Sequence, residues 1–428
     1  DMAFPRLNAL SWWVLFTAIP VLCSAWFLGG IPTGWTAYAP LSVQAGPGMN
    51  AFIATIIIFA VSTAVAGANI TATVIAMRAK GMSWNRVPIF VIGATVSVAL
   101  AIPAFPTFML SMIMTAMDRS FLTGFFDANV GGTGWLYAHL FWIMGHPEVY
   151  VILIPGVAIL MEIVPVFVRK PLFSYTAAIV GFAGIAGLSV LVWAHHMYIS
   201  GWMPMLNGPF MVTTEMISVP TGLIFLVILG TLWNGKPWLK VPMLGVYAFL
   251  WNMLIGGITG LYLSDVPADM YLHGSMYVTA HFHYTLMGAA LTGAVAGLSY
   301  WYPKMTGHML HERASYLSFW LVQIGFQVLY LGMFIAGAEG QPRRVVDYAE
   351  QFATSNMVST MGAYTIGIGF IILLWAVIHS WRHGKIAPMN PWGAKSLEWT
   401  VPYPVPLVNF DTPPVVTSDP YGYGRSAK

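Results

Sequence analysis

Apolar stretches long enough to cross the hydrocarbon core of a bilayer, about 20 residues at a helical rise, recur along the whole chain. In lipid every backbone polar group must be satisfied internally, so only helices and closed barrels span a membrane, and stretches of this length select helices. About ten are predicted, near 11–28, 51–77, 87–116, 136–167, 173–197, 209–233, 241–265, 271–301, 315–340 and 360–381. With 58% hydrophobic and 8% charged residues, the composition excludes a water-soluble globule. The expected fold is therefore all-α, a polytopic transmembrane helix bundle in one domain over residues 1–428. No repeat or soluble insertion interrupts it, and residues 386–428 form a Pro-rich tail whose "PYPVPLVNFDTPPVV" cannot continue a helix.

The opening "DMAFPRLN" reads as a polar lead into the first helix rather than a signal peptide. Alternate connections differ in charge: Arg78, Lys80, Arg86, Arg169, Lys170, Lys236, Lys240, Lys304, Arg313, Arg382 and Lys385 share one side, which is expected to be cytoplasmic. Only Arg119, Arg343 and Arg344 fall opposite. A net charge of +3 says little about partners, and nothing calls for nucleic acid. Cys23 is the single cysteine, so any metal must be held by histidine, carboxylate or tyrosine.

The run "LFWIMGHPEVYVILIP", residues 140–155, carries His146, Glu148 and Tyr150 at membrane depth, where polar groups are costly and mark function. His195 and His196 in "VWAHHMY" stand at the outer end of another helix, and His281 and His283 lie within a third. A lone membrane histidine is ordinarily an interhelical hydrogen-bond partner. Five together point instead to metal chemistry. Three neutral imidazoles with an open position describe a reactive copper or zinc centre. His281 and His283 are about 200° apart on a helix, so they cannot share a metal but can serve two cofactors, of which haem is the usual kind. His146 and Tyr150 share a face, and Glu148 points elsewhere. Arg343 and Arg344 are either ordinary loop charges or the site of a buried anion such as a propionate.

The strings "GWTAYAPL", "FWIMGHPEVY", "WAHHMY", "SVPTG", "YLHGSMYVTAHFHYTL" and "PRR", in this order after "DMAFPRLN", resemble subunit I of the haem-copper oxygen reductases, the terminal oxidases of respiration. The match opens after the second of that family's usual twelve helices. The histidine the family places there, as the other axial ligand of its low-spin haem, has no counterpart in this sequence. The resemblance implies His146, His195 and His196 as ligands of the copper called CuB, His281 on the high-spin haem and His283 on the low-spin haem. It makes Tyr150 the tyrosine linked to the copper histidine one turn earlier, Arg343 and Arg344 the propionate pair, Trp35 and Asp269 their polar neighbours, and His273 a magnesium ligand. Implied cofactors are haems a and a3, copper and magnesium. Implied partners are O2, membrane lipids, a subunit II with a CuA site, a subunit III, and cytochrome c or quinol as electron donor. The expected location is a bacterial plasma membrane rather than the mitochondrial inner membrane.

Asp1, Asn8, Ser11, Ser62, Thr63 and Asn69 resemble the family's aspartate-led proton path, ending at Glu148. Two positions depart from the pattern. Ile224 replaces the lysine of the second path, where Thr221 is retained; Glu215 is an extra acid on the same helix, and either it or a water chain serves this path, or it pairs with a neighbouring helix or subunit. Gly274 replaces the aspartate usually beside His273. The implied activity is reduction of dioxygen to water, coupled to proton translocation. A nitric oxide reductase of the same superfamily is the nearest rival, against which Tyr150 and Glu148 argue. A cofactor-free proton-coupled transporter is the rival from another class.

Overall fold

A computed structural model describes residues 2–121, 123–403, 405–406 and 408–421; Asp1, the expected start of the first proton path, lies outside them. The described residues form helices α1 (Pro5–Phe27), α2 (Leu41–Gln44), α3 (Gly48–Ala76), α4 (Ile89–Phe121), α5 (Gly134–Val168), α6 (Tyr175–Ser189) and α7 (Asn207–Met216). The series continues with α8 (Ser218–Leu232), α9 (Val241–Ser264), α10 (Val266–Leu272), α11 (Met276–Thr285), α12 (Thr292–Thr306), α13 (Glu312–Ala338) and α14 (Ala353–His383). The fold is all-α, as the apolar periodicity requires. Among the described residues, eight helical stretches are long and apolar enough to cross a membrane.

Three of the ten predicted spans are broken, one of them, 209–233, at Ile217 between α7 and α8. The stretch 173–197 stops being α-helical at Ser189, and its end, Trp193–Met197, is a 3-10 turn. The stretch 271–301 runs as α11 and α12 joined by a π-turn, Leu286–Leu291. Sequence length registers apolar continuity, not the hydrogen-bond pattern, and π-turns cluster at functional sites.

The chain divides into two compact units. The first holds the residues up to Arg78, Thr95–Val151 and Gly184–Ile217. Here α1 lies along α3 on a polar seam. Ser62 Oγ donates to the Ser11 carbonyl (2.7 Å), and Asn69 Oδ1 and Thr73 Oγ1 accept from the Phe4 and Ala3 amides (both 2.9 Å), satisfying groups at the start of α1 that lack helical partners. Phe52, Phe105, Phe108, Met112, Tyr137, Phe141 and Trp142 fill the core. At the end of α4, Arg119 donates to the carbonyls of Ser42, Val43, Ala45 and Gly46 and to Asn50 Oδ1, closing the loop that follows α2.

The second unit holds Ala79–Ala94, Ile152–Ala183 and the residues from Ser218 onward. α11 packs against α9 and α13, and α13 runs along α14. Close approach of α13 and α14 depends on Gly362, where a Cβ would fall 2.4 Å from Leu329 N. Asn252 on α9 ties the π-turn to α13: its Nδ2 donates to the Gly288 carbonyl (3.3 Å) and its Oδ1 accepts from Gln327 Nε2 (2.8 Å). The widened turn disrupts regular helical pairing, and a side chain supplies a partner for the Gly288 carbonyl. Just beyond, Gly293 meets Gly156 so closely that a Cβ on Gly293 would come 2.4 Å from the Gly156 carbonyl oxygen. The tail returns to Tyr421, whose buried hydroxyl accepts from the Ile89 amide (2.7 Å) and donates to Glu162 Oε1 (2.7 Å).

Candidate functional site

In the first unit, α5 and the 3-10 turn bring His146, His195 and His196 together. One ligand-type nitrogen from each lies within 4.8 Å of the other two, and this is the single such group of three metal-ligating residues among the described residues. His146 Nδ1 is 3.2 Å from His196 Nε2, and His195 Nε2 is 3.0 Å from the same atom. Adjacent side chains on an α-helix splay by about 100°, which would part His195 from His196. The 3-10 turn is where the expectation of a helix end gives way, and there the two rings converge.

Two contacts orient the cluster. Thr214 on α7 donates its hydroxyl to the Phe210 carbonyl (2.6 Å), so the oxygen is left to accept from His195 Nδ1 (3.0 Å). His195 then keeps its Nε2 lone pair for the cluster, as a metal-binding imidazole requires. Trp142 stacks on His196 with ring centroids 3.7 Å apart and planes 10° apart, and its indole donates to the Tyr38 hydroxyl. Neither Thr214 nor Trp142 stands out in the sequence. The hydroxyl pair in "MVTTEM", polar within an apolar run, is the only signal for the former.

Tyr150 stands one turn from His146 with ring centroids 5.0 Å apart, as the shared face predicts. Glu148 is half-buried and has no hydrogen-bond partner among the described residues. Trp35 packs its ring 5.4 Å from Phe141. Of the expected path residues, Ser11, Ser62 and Asn69 are buried in the α1–α3 seam, where Asn69 Nδ2 is a buried donor with no partner among the described residues. Asn8 is exposed, and the Thr63 hydroxyl donates to its own helix at the Phe59 carbonyl (2.9 Å). Glu215 is half-buried in the last turn of α7.

In the second unit, α11 presents His281 and His283 to different neighbours. His281 Nδ1 is 3.1 Å from Thr259 Oγ1 on α9, and a Cβ at Gly260 would fall 2.7 Å from His281 Cε1, so only glycine leaves this ring its room. His283 donates from Nδ1 to the Thr279 carbonyl (2.7 Å) and stacks on Tyr330 of α13 (4.8 Å). The opposite-face expectation matches this geometry. Each ring engages Nδ1, which leaves Nε2 as the nitrogen that could bind a metal. The Arg343 guanidinium lies over the Phe282 ring at 5.4 Å; exposed Arg344 follows it with φ +66°.

Asp269 Oδ2 pairs with His273 Nδ1 at 2.7 Å. Gly274, where the family pattern has an aspartate, takes φ +71°, a left-handed conformation that glycine adopts without strain. On α8, Thr221 is half-buried, and Ile224 is buried against α6, its Cγ2 only 2.4 Å from where a Cβ on Gly181 would sit. That position is apolar packing and carries no proton.

The sequence matches the family described as "Cytochrome C and Quinol oxidase polypeptide I" over residues 1–365. It is 38% identical to cytochrome c oxidase subunit 1 of Thermostichus vulcanus over 425 residues, 99% of this chain and 77% of that protein. It is 39% identical to cytochrome c oxidase subunit 1 of Bacillus subtilis over 421 residues, 97% of this chain and 68% of that protein. Its fold matches a cryo-EM structure of a heme-copper terminal oxidase dimer with a TM-score of 0.78 at 19% identity, covering 90% of this chain and 71% of that one.

Proposed function

We infer the roles of these residues from the premise that the chain belongs to the cytochrome c and quinol oxidase polypeptide I family: it is the catalytic subunit of a haem-copper terminal oxidase, integral to a bacterial membrane and working with other oxidase subunits on dioxygen. The observation that carries the assignment is the convergence of three imidazole nitrogens within 4.8 Å. A neutral three-imidazole donor set fits copper, and His146, His195 and His196 would hold it. His281, beside α9, and His283, beside α13, would each hold one haem through an imidazole nitrogen. When bound, these groups supply the redox chemistry by which dioxygen becomes water.

The protein's part is positioning and proton handling. Thr214 fixes the tautomer of His195, and Trp142 fixes the ring plane of His196. Tyr150, adjacent to His146, carries the position for the covalent link and gives a proton from its phenol oxygen. Glu148 holds and releases a proton from its carboxyl, supplied along the α1–α3 seam, where the buried Asn69 Nδ2 offers a partner to water. Arg343 and Arg344 bind propionates through their guanidinium forks, with Asp269 as a polar group of the same unit. With the second-path lysine replaced by buried Ile224, Thr221 and Glu215 are the polar groups left to serve that path.

The haems are of types a and a3. The donor is cytochrome c acting through a CuA-bearing subunit II, with subunit III completing the complex, and quinol is the competing donor within the same family. Magnesium at His273 does not fit: an imidazole already paired with one carboxylate is a poor donor set for an ion that takes oxygen ligands. Tyr150 and Glu148 favour an oxygen reductase over a nitric oxide reductase. Metal and haem analysis of the purified complex, with identification of subunit II, tests the cofactors and donor. Glu148→Gln tests the relay: turnover stops while haem spectra stay unchanged, and normal oxygen consumption in that variant overturns it.

A further inference from the structure

His139 lies two helical turns ahead of His146 on α5, about 10 Å along the axis and on the same face. Its Nδ1 accepts the indole N–H of Trp193 at 3.1 Å. An indole can only donate, so the Nδ1 lone pair faces Trp193 and the ring proton sits on Nε2. Nε2 is buried and has no hydrogen-bond partner among the described residues, and the Trp202 ring stands edge-on at 4.0 Å. An imidazolium would set a second N–H against the indole N–H. The contact therefore holds only for the neutral ring.

Trp193 is the first residue of the 3-10 turn that carries His195 and His196. So short a turn has poor hydrogen-bond geometry and holds little shape by itself. It is gripped from outside at three points: Thr214 takes His195, Trp142 stacks on His196, and His139 takes Trp193, whose ring also meets Phe210 edge-on at 5.0 Å. His146 and His139 share α5, so the Trp193 bond ties the turn bearing two imidazoles to the helix bearing the third.

We propose that His139 is a positioning residue for the copper centre, a permanently neutral imidazole that fixes the Trp193–Met197 turn against α5. The proposal rests on the copper reading of the three-histidine cluster. Its test is copper affinity and the infrared band of carbon monoxide on the reduced copper, both measured on the assembled oxidase with haem absorption as the folding control. His139→Leu and Trp193→Phe remove opposite ends of one bond. Each weakens copper binding about tenfold, the low end for outer partners of a metal ligand, and broadens the band. Because they break the same contact, the double variant is no weaker than the weaker single variant. His139→Asn, whose carboxamide oxygen reaches near the Nδ1 position, restores affinity and band width. Unchanged copper affinity in His139→Leu, or additive losses in the double variant, overturns the proposal. A wild-type complex that binds no copper overturns the copper reading itself, a distinct outcome.

Discussion

Thr214→Val gives the sharpest test of how the three-histidine cluster is oriented. The change swaps a hydroxyl for a methyl of similar size, so packing on α7 is preserved. It removes the oxygen that accepts from His195 Nδ1 at 3.0 Å. In the variant, the tautomer that offers Nε2 to the cluster loses this acceptor for its half-buried Nδ1–H, which costs about 1–3 kcal/mol. At 1.4 kcal/mol per factor of ten, that is roughly a five- to 150-fold loss of copper affinity, in line with the 10–100-fold typical of outer-shell partners. The assay is competition between copper-depleted oxidase and a chelator for cuprous ion, with haem absorption showing an intact fold. Thr214→Ser keeps the hydroxyl and retains most of the affinity. If Thr214→Val binds copper as tightly as the wild type, the tautomer of His195 is set elsewhere and the argument fails.

Other outcomes follow from the packing. Arg119→Met strips donors from four loop carbonyls and from Asn50, and lowers the thermal midpoint in detergent by an amount equivalent to about 2–4 kcal/mol; Arg119→Lys recovers only part, since an ammonium has fewer donors than a guanidinium fork. Gly362→Ala forces a Cβ to within 2.4 Å of Leu329 N and destabilises the α13–α14 pair by about 1–3 kcal/mol, whereas Gly367→Ala, with nothing within 4 Å, does not lower the melting midpoint. Tyr421→Phe removes the hydroxyl between Ile89 and Glu162 and speeds limited proteolysis of the tail. Burial, and next the charge of Glu162, push the Tyr421 phenol well above its ordinary range. Its stabilisation is therefore complete below an unfolded value of about 10 and declines as pH rises toward the folded value, which tail proteolysis against pH will show.

The helical architecture was legible because lipid leaves few alternatives to long apolar helices, and the histidines were legible because imidazoles at that depth need a reason. What escaped was local backbone form. Nothing in "LVWAHHMY" distinguishes the end of an α-helix from a turn that converges two neighbouring rings, since that choice is made by contacts from α7 and α5. His139 carries no signal in the sequence because its partner, Trp193, is far away along the chain. Ile224 shows the reverse: a departure visible in the sequence whose cause, the space against Gly181, only packing reveals.

The wide turn Leu286–Leu291 also bears on how this chain can vary. Because a π-turn spends about one more residue per turn than an α-helix, losing one of its 6 residues while the turn closed to α-helical bonding would leave everything beyond it nearly in phase with His283. The same loss within regular α12 would swing Gly297 by about 100° away from Ile159 and drive bulkier neighbours into space that admits no side chain. The wide turn is thus a slack point in the count of residues, and insertions or deletions should be far less tolerated in the regular helix beyond it.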